Sequence, residues 1–538
     1  MTLRQDRPAQ ASATMPAGAV DETSARNSRG ARKPNALVAL LRRLHFYAGM
    51  FIGPFLLIAA ISGALYAVAP TAEKLVYQDV LTVTPPPGAE GVTNTISLEK
   101  QVNNAHEAFP DLDIAQVWPS SEPGETTRVL LIDETIDEAE LRSVFINPYT
   151  GAVVGDEPSY SGLGELPLRR WISHLHESMH LGPVGELYSE LAASWLWFFA
   201  LGGLVLWASR NKKVQQLFGF AKARAGKETK NGGAQEAKDA KGAKGGKNKG
   251  SGRRRLVNLH GVTGTWMLIG MLALSVTGIT WSTYAGGNVN RTVEALQWRA
   301  DPITTELSGE SAAEADPHAE HAGHGGGGGA EAEAEARAWT PEEIAEQADQ
   351  VLATAREEGL TGSLRMYPGE SVEHGWQASE RWTEWRTTSD AISVDGETGE
   401  VIDRLPFSEL PLFSKLTSWG IYLHMGIMFG LPLQILLLVT ALAIAGLVVL
   451  GYLVWWKRRP TPGATAGIPG PRTKLSTKQW IIVAVFLVAV GGFLPLFGIS
   501  LAAMLLADVL LSKRAGHTGY VGHTGHETRR AAVDGARA

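Results

Sequence analysis

Cysteine is absent from the 538 residues of the chain, which excludes structural disulfides, thiolate zinc sites, cysteine-ligated iron–sulfur clusters and covalent c-type haem attachment. Any metal chemistry rests on histidine, methionine or carboxylates. Charge is absent from Met425 to Trp456, a run long enough at about 1.5 Å per residue to cross a hydrocarbon core of about 30 Å. The first forty or so residues lack an early apolar core with a cleavage site, so residues 1–40 are expected to be a polar cytoplasmic tail and not a cleaved signal peptide. The net charge of -6 hides an asymmetry. Lys and Arg crowd residues 1–44 and 210–255, whereas 70–165 and 300–400 are acidic, as on opposite sides of a bilayer. Nothing points to a nucleic-acid partner; the lipid bilayer is the expected one.

What is present is a duplication. The segment LHMGIMFGLPLQILLLVTALAIAGLVVLGYLVWWKRR is expected to be a transmembrane helix over 411–457, closed at its cytoplasmic end by tryptophans and basic residues and bearing His424 at its outer end. The segment LHESMHLGPVGELYSELAASWLWFFALGGLVLW repeats it: 31 residues run from 176 to 207 and from 424 to 455, and glycine follows each histidine by six, at Gly182 and Gly430. RLHFYAG and NLHGVTG repeat each other likewise, with glycine four residues (Gly49, Gly264) and eighteen residues (Gly63, Gly278) after His45 and His260. Between the helices lie two external α+β modules. Their turns, Asn147 with Thr150-Gly151 and Asp395 with Thr398-Gly399, stand 25 residues before the next histidine (151 to 176, 399 to 424).

The expected fold class is a mainly α membrane protein: duplicated helix–module–helix units forming a four-helix bundle, plus a C-terminal two-helix hairpin. The expected boundaries are a first membrane helix over 41–69, an external module over 70–170 and an outer segment with the second helix over 171–209. A Lys/Gly-rich cytoplasmic linker over 210–255 precedes the third helix over 256–284. Then come an external low-complexity linker over 285–338, the second module over 339–410, the fourth helix, a cytoplasmic loop over 458–478, the hairpin over 479–512 and a cytoplasmic tail over 513–538. Basic flanks on both sides of the hairpin place both termini inside.

If parallel repeats are related by an axis along the membrane normal, His45 faces His260 near the inner surface and His176 faces His424 near the outer one. Each pair then suits one iron: neutral imidazoles on opposite faces of a planar macrocycle are an axial set for b-type haem, with glycine relieving crowding against the ring. The plain alternative for any one histidine is a hydrogen-bonded bridge between helices. His180, one turn from His176, competes as the ligand, but its counterpart in the second half is Met428. Arg169 and Arg170 are candidates for haem propionates or an anionic ligand, or are simply two exposed cations. His318, His321 and His324, in a Gly-rich acidic loop, read as a solvated spacer with weak metal affinity at most.

LHFYAGMFIGPFLLIAAISGALY, the INPYTG turn, LHESMHLGPVGELYSELAASWLW and LHMGIMFG ending in WWKRRP resemble the PepSY-associated transmembrane proteins over residues 41–459. That family includes inner-membrane ferrisiderophore reductases with two b-type haems, so the resemblance implies two haems on His45, His260, His176 and His424, external PepSY modules, and reduction of a ferric siderophore or other ferric complex for iron uptake. It implies the cytoplasmic (inner) membrane. Some relatives carry a fused flavin reductase; here no glycine-rich strand-to-helix fingerprint follows a strand, so the expected donor is a membrane quinol or a separate cytoplasmic reductase. Other PepSY proteins restrain peptidases, so a membrane-anchored peptidase-binding protein is the alternative, and a periplasmic metal-handling protein using the His-rich loop is a third reading.

Overall fold

A computed structural model describes residues 35–87, 95–211, 218, 247–307, 337–458 and 475–511. Asn35 opens the first helix, its Oδ1 accepting the Leu37 amide at 3.0 Å. That helix, α1, is Ala36–Phe51 and carries His45; after Ile52 a new helix, α2, runs Gly53–Val76 with Pro54 in its first turn. The first membrane-length helix therefore lies further along the chain than 41–69. The proline, which needs no amide partner there, starts it.

Ser97 caps α3 (Leu98–Ala108), and β1 (Ile114–Trp118), β2 (Thr127–Leu131), β3 (Glu140–Ile146) and β4 (Val153–Tyr160) form an antiparallel meander. Asn147 Oδ1 accepts the Tyr149 amide at 2.9 Å and Gly151 takes φ 77°, which turns β3 into β4. Then come α4 (Pro167–Ser178), α5 (Gly182–Ala208), α6 (Lys247–Trp266), α7 (Leu268–Thr280) and α8 (Thr283–Ala295). The second module has α9 (Pro341–Glu357), β5 (Leu364–Tyr367), β6 (Trp376–Glu380), β7 (Ala391–Val394) and β8 (Val401–Leu405), with the same turn at Asp395 and Gly399 (φ 76°). Last come α10 (Leu412–His424), α11 (Gly430–Trp456), α12 (Thr477–Phe493) and α13 (Pro495–Leu511).

The modules are not separate. They fuse into one eight-stranded sheet, β4-β3-β2-β1-β5-β6-β7-β8, joined at its centre where Val117 pairs with Met366. α3 and α9 pack together on one face, and Asp349 of α9 accepts the Leu98 and Glu99 amides at 2.8 and 2.9 Å, capping α3 from the other half. Val102, Val351, Val117, Met366 and Trp376 share one dry core, each large apolar side chain contributing about 1.5–3 kcal/mol by burial.

Among the described residues, α2, α5 and α11 are long and apolar enough to cross a membrane, and α6 with α7 makes a fourth if a pair bent by 61° is one span. The chain is thus a mainly helical membrane protein. α2 packs chiefly on α11 and α5 on α7, so each half's first apolar helix meets the other half's last. The third helix, expected unbroken, bends where Thr265 Oγ1 donates to the Gly261 carbonyl at 2.8 Å between Gly264 and Gly270. The fourth becomes helical only at Gly430, His424 ending the separate helix α10. α12 and α13, 17 residues for the first, are short for a span. They cross where a Cβ on Gly498 would lie 2.5 Å from the Gly491 carbonyl oxygen, so only glycine fits. α13 is fastened to α1 by Asp508, whose Oδ1 and Oδ2 accept Arg43 Nε and Nη2 at 2.8 and 3.0 Å, with Tyr47 Oη donating at 2.8 Å.

Candidate functional site

α4 and α10 each end within two residues of a histidine. After His176, Met179 and His180 take φ 52° and 56° and Gly182 φ 57°; after His424, Gly426 takes φ 76° and Gly430 φ 53°. The repeated glycine six residues on is the left-handed residue from which each membrane helix starts. These turns leave His176 and His424 with ring centroids 6.3 Å apart and planes inclined at 49°.

Both imidazoles are held from behind. Ser62 Oγ stands 3.0 Å from His176 Nδ1, and Thr277 Oγ1 2.6 Å from His424 Nδ1. Each hydroxyl has one proton, and each is within donating distance of a backbone carbonyl one turn back, Ile58 O at 2.9 Å and Ala273 O at 2.9 Å. With that proton so used, the hydroxyl accepts from the ring, the tautomer is Nδ1–H, and Nε2 keeps its lone pair. Two imidazoles bound through Nε2 at about 2 Å from one first-row metal have centroids about 6 Å apart. Tyr188 Oη donates to the His176 carbonyl at 2.5 Å, and a Cβ at Gly63 would reach within 3.0 Å of His176 Cε1.

The second pair, His45 on α1 and His260 on α6, lines an apolar cavity of about 310 Å³. Both Nδ1 atoms are buried with no hydrogen-bond partner. Glycines interrupt the apolar wall: a Cβ at Gly49 would meet nothing within 4 Å, and one at Gly203 would lie 3.4 Å from His45 Cε1. Arg42, Arg210, Arg253 and Arg458 also line it. Burial, then Arg42 and Arg253, holds the Arg210 guanidinium below its ordinary value, and burial, then Arg253 and Arg42, does the same for Arg458. A flat, apolar macrocycle with two carboxylates and an iron needing two nitrogens matches this lining: two buried imidazoles whose Nδ1 atoms have no partner, a wall of apolar side chains interspersed with glycines, and arginines whose neighbouring charges are other arginines.

The remaining candidates fall elsewhere. His180 lies 5.0 Å from the Trp171 ring and 5.8 Å from that of His174, so His176 and not His180 is the partner of His424. Arg169 is not an exposed cation: it is 6% exposed, 3.1 Å from Glu165 and 3.2 Å from Tyr66 Oη. Arg170 lies 3.8 Å from Glu140 and over the Tyr160 ring. Among the described residues no group of three or more His, Asp or Glu is placed to hold a bare metal ion; His318, His321 and His324 lie outside those residues.

Sequence reasoning missed Ser62 and Thr277, although both stand seventeen residues after a repeated histidine (45 to 62, 260 to 277). It also missed Arg43 and Tyr47, which flank His45 and tie it to Asp508. The family model described as the PepSY-associated TM region matches residues 42–458. No curated protein matches the chain.

Proposed function

The chain belongs to the family of the PepSY-associated TM region, and from that premise we propose that it is a transmembrane electron-transfer protein that holds two b-type haems and reduces ferric siderophores or other ferric complexes on the outer side of the cytoplasmic membrane. His45 and His260 hold the inner haem, His176 and His424 the outer one. Bound there, haem supplies reversible one-electron chemistry in a dry setting.

The residues of the chain do the rest. Ser62 and Thr277 fix the tautomer and the direction of the outer imidazoles. Arg42, Arg210, Arg253 and Arg458 meet the inner propionates at the end of the bundle that the positive-inside rule assigns to the cytoplasm, where both termini also lie. A quinol or a cytoplasmic reductase is the donor. At the outer face the substrate iron is released because hard oxygen ligands matched to Fe(III) hold the softer Fe(II) poorly.

The observation that carries this reading is the outer pair, two rings 6.3 Å apart, each held at Nδ1 by a hydroxyl. Its test is the absorption spectrum of purified protein before and after dithionite, with a pyridine haemochromogen assay. Two b-type haems per chain are expected; none, after expression with ample haem, overturns the proposal.

A further inference from the structure

The fused sheet forms a roof over the helix tops, and one of its loops leaves it. Residues 381–390, which join β6 to β7, reach down to the outer ends of two membrane helices. The Trp385 amide donates to the Met428 carbonyl at 2.7 Å, its ring meets that of Phe429 at 5.5 Å, and Glu384 accepts the Lys74 ammonium of α2 at 2.7 Å. A Cβ at Gly430, where α11 starts, would lie 2.5 Å from Glu384 Oε2, so the loop rests directly on that helix end. Behind it, Trp382 stacks on Tyr422 at 4.5 Å and Trp419 Nε1 donates to the Thr387 carbonyl at 2.8 Å.

Trp385 is held in a strained form. Its φ is 66°, in the left-handed region that a bulky residue seldom adopts, and it is nevertheless 66% exposed. Packing therefore does not explain the strain, because the ring is presented outward. Beside the Lys74 contact, Leu75 and Val76 in the last turn of α2 are 70% and 61% exposed, and Leu431 in the first turn of α11 is 53% exposed. Leu431 also begins the exposed apolar row Ile435, Leu436, Val439 and Leu442 along α11, the surface that a membrane-crossing helix gives to lipid. The patch around Trp385 adjoins that surface at its outer end. The matching loop of the first half, residues 132–139, has no aromatic residue and four carboxylates, Asp133, Glu134, Asp137 and Glu138.

We propose that the loop 381–390 anchors the roof to the outer leaflet: Trp385, with Leu75, Val76 and Leu431, sits among the lipid headgroups and upper acyl chains, while the matching loop of the first half stays in water. An indole suits that level because its ring is apolar and its N–H is polar. The lipid surface then braces the segment of the outer imidazole, since the carbonyl that Trp385 holds lies four residues after His424. The anchor requires no haem, so it stands or falls apart from the electron-transfer reading.

The chain has no cysteine, so Trp385→Cys carries a single nitroxide label. In full-length protein in phosphatidylcholine nanodiscs, collisions of the label with oxygen, which concentrates in lipid, are compared with collisions with a nickel chelate, which stays in water. Oxygen is expected to prevail at 385, and nickel at Glu134→Cys in the matching loop and at Glu346→Cys on the exposed face of α9. The same order at 385 and 134 overturns the proposal. So does poor access of both reagents to 385, which would mean that protein and not lipid covers the patch. Should Trp385→Cys fail to fold, Trp385→Phe keeps an aromatic ring, and the share of tryptophan emission quenched by lipids brominated near the headgroup is expected to fall from its wild-type value; an unchanged share overturns the proposal equally.

Discussion

Thr277 Oγ1 stands 2.6 Å from His424 Nδ1 while lying 2.9 Å from the Ala273 carbonyl, so a hydroxyl fixed by its own helix fixes the histidine of another. Ser62 does the same for His176. In both halves the helix that carries an inner histidine, or directly continues from it, thereby supports the outer one.

Removing that support should be felt at the outer site alone. Thr277→Val, which keeps the shape and loses the acceptor, is expected to weaken retention of the outer haem about 10- to 100-fold, the usual effect of losing a supporting hydrogen bond to a ligand. Thr277→Ser should restore it. Haemin titration of the stripped protein measures this; an unchanged affinity for Thr277→Val would mean the hydroxyl only fills space.

The cross-repeat pairing makes a second prediction. His176→Ala and His424→Ala should each remove the same haem, and His45→Ala and His260→Ala the other, as read by haem stoichiometry and the low-temperature spectrum of each variant. Loss of one common haem from His45→Ala and His176→Ala would contradict the pairing.

The repeat itself was legible because spacing survives divergence: glycines six residues after His176 and His424 take the same left-handed φ, and Asn147 and Asp395 make the same turn. The single sheet was not. β1 and β5 lie far apart in sequence and share one paired position, Val117 with Met366, so no local pattern announces the seam. The helix breaks after His176 and His424 were legible in part, since Gly182-Pro183 and Gly430-Leu431-Pro432 interrupt the pattern there; the left-handed backbone at Met179, His180 and Gly426 was not, because hydropathy does not register a change of φ. The charge of Arg169 was visible, but Glu165 at its side lies one turn before it outside any helix, and burial by the roof decides that they pair. Asp508 stands out in the sequence as a lone carboxylate in an apolar run, but its partner Arg43 is more than four hundred residues away.

That distant pair gives a third prediction. Arg43 and Asp508 are 3% and 5% exposed, and removing one member of a buried pair costs about 3–5 kcal/mol because the other charge is left alone. Asp508→Ala should therefore lower the melting temperature in detergent markedly, and since Arg43 and Tyr47 flank His45, inner haem should be lost before outer haem. The double variant Arg43→Met with Asp508→Leu should recover much of the stability. A single variant as stable as the wild type would show the pair to be idle.

Acid should act on the roof in a defined window. Glu343 sits in the capping box of α9, and the Arg337 guanidinium, then the Thr340 amide, lowers its carboxyl from 4.5 to about 2. A depressed carboxyl stabilises the fold fully above its unfolded value and loses that contribution as pH falls through the folded one. The helix end near Trp339 should hold at pH 4 and fray towards pH 2, followed by tryptophan fluorescence; Glu343→Gln should flatten the change in that window.

The emptiest wall of the inner cavity offers the sharpest steric test. Gly49 lies in the last turn of α1 with ordinary helical backbone, where alanine is favoured over glycine by up to about 0.5–1 kcal/mol, and a Cβ there meets nothing within 4 Å. In the haem-free protein Gly49→Ala should therefore be neutral or slightly stabilising, because the added carbon projects into open space. If that space is where the macrocycle lies, a larger side chain competes with it directly. Gly49→Leu is expected to leave the fold and the outer haem in place, remove the inner haem, and halve the haemochromogen yield. Full haem content in Gly49→Leu would mean that the space beside His45 and His260 is not the seat of a haem, whatever else the two histidines do.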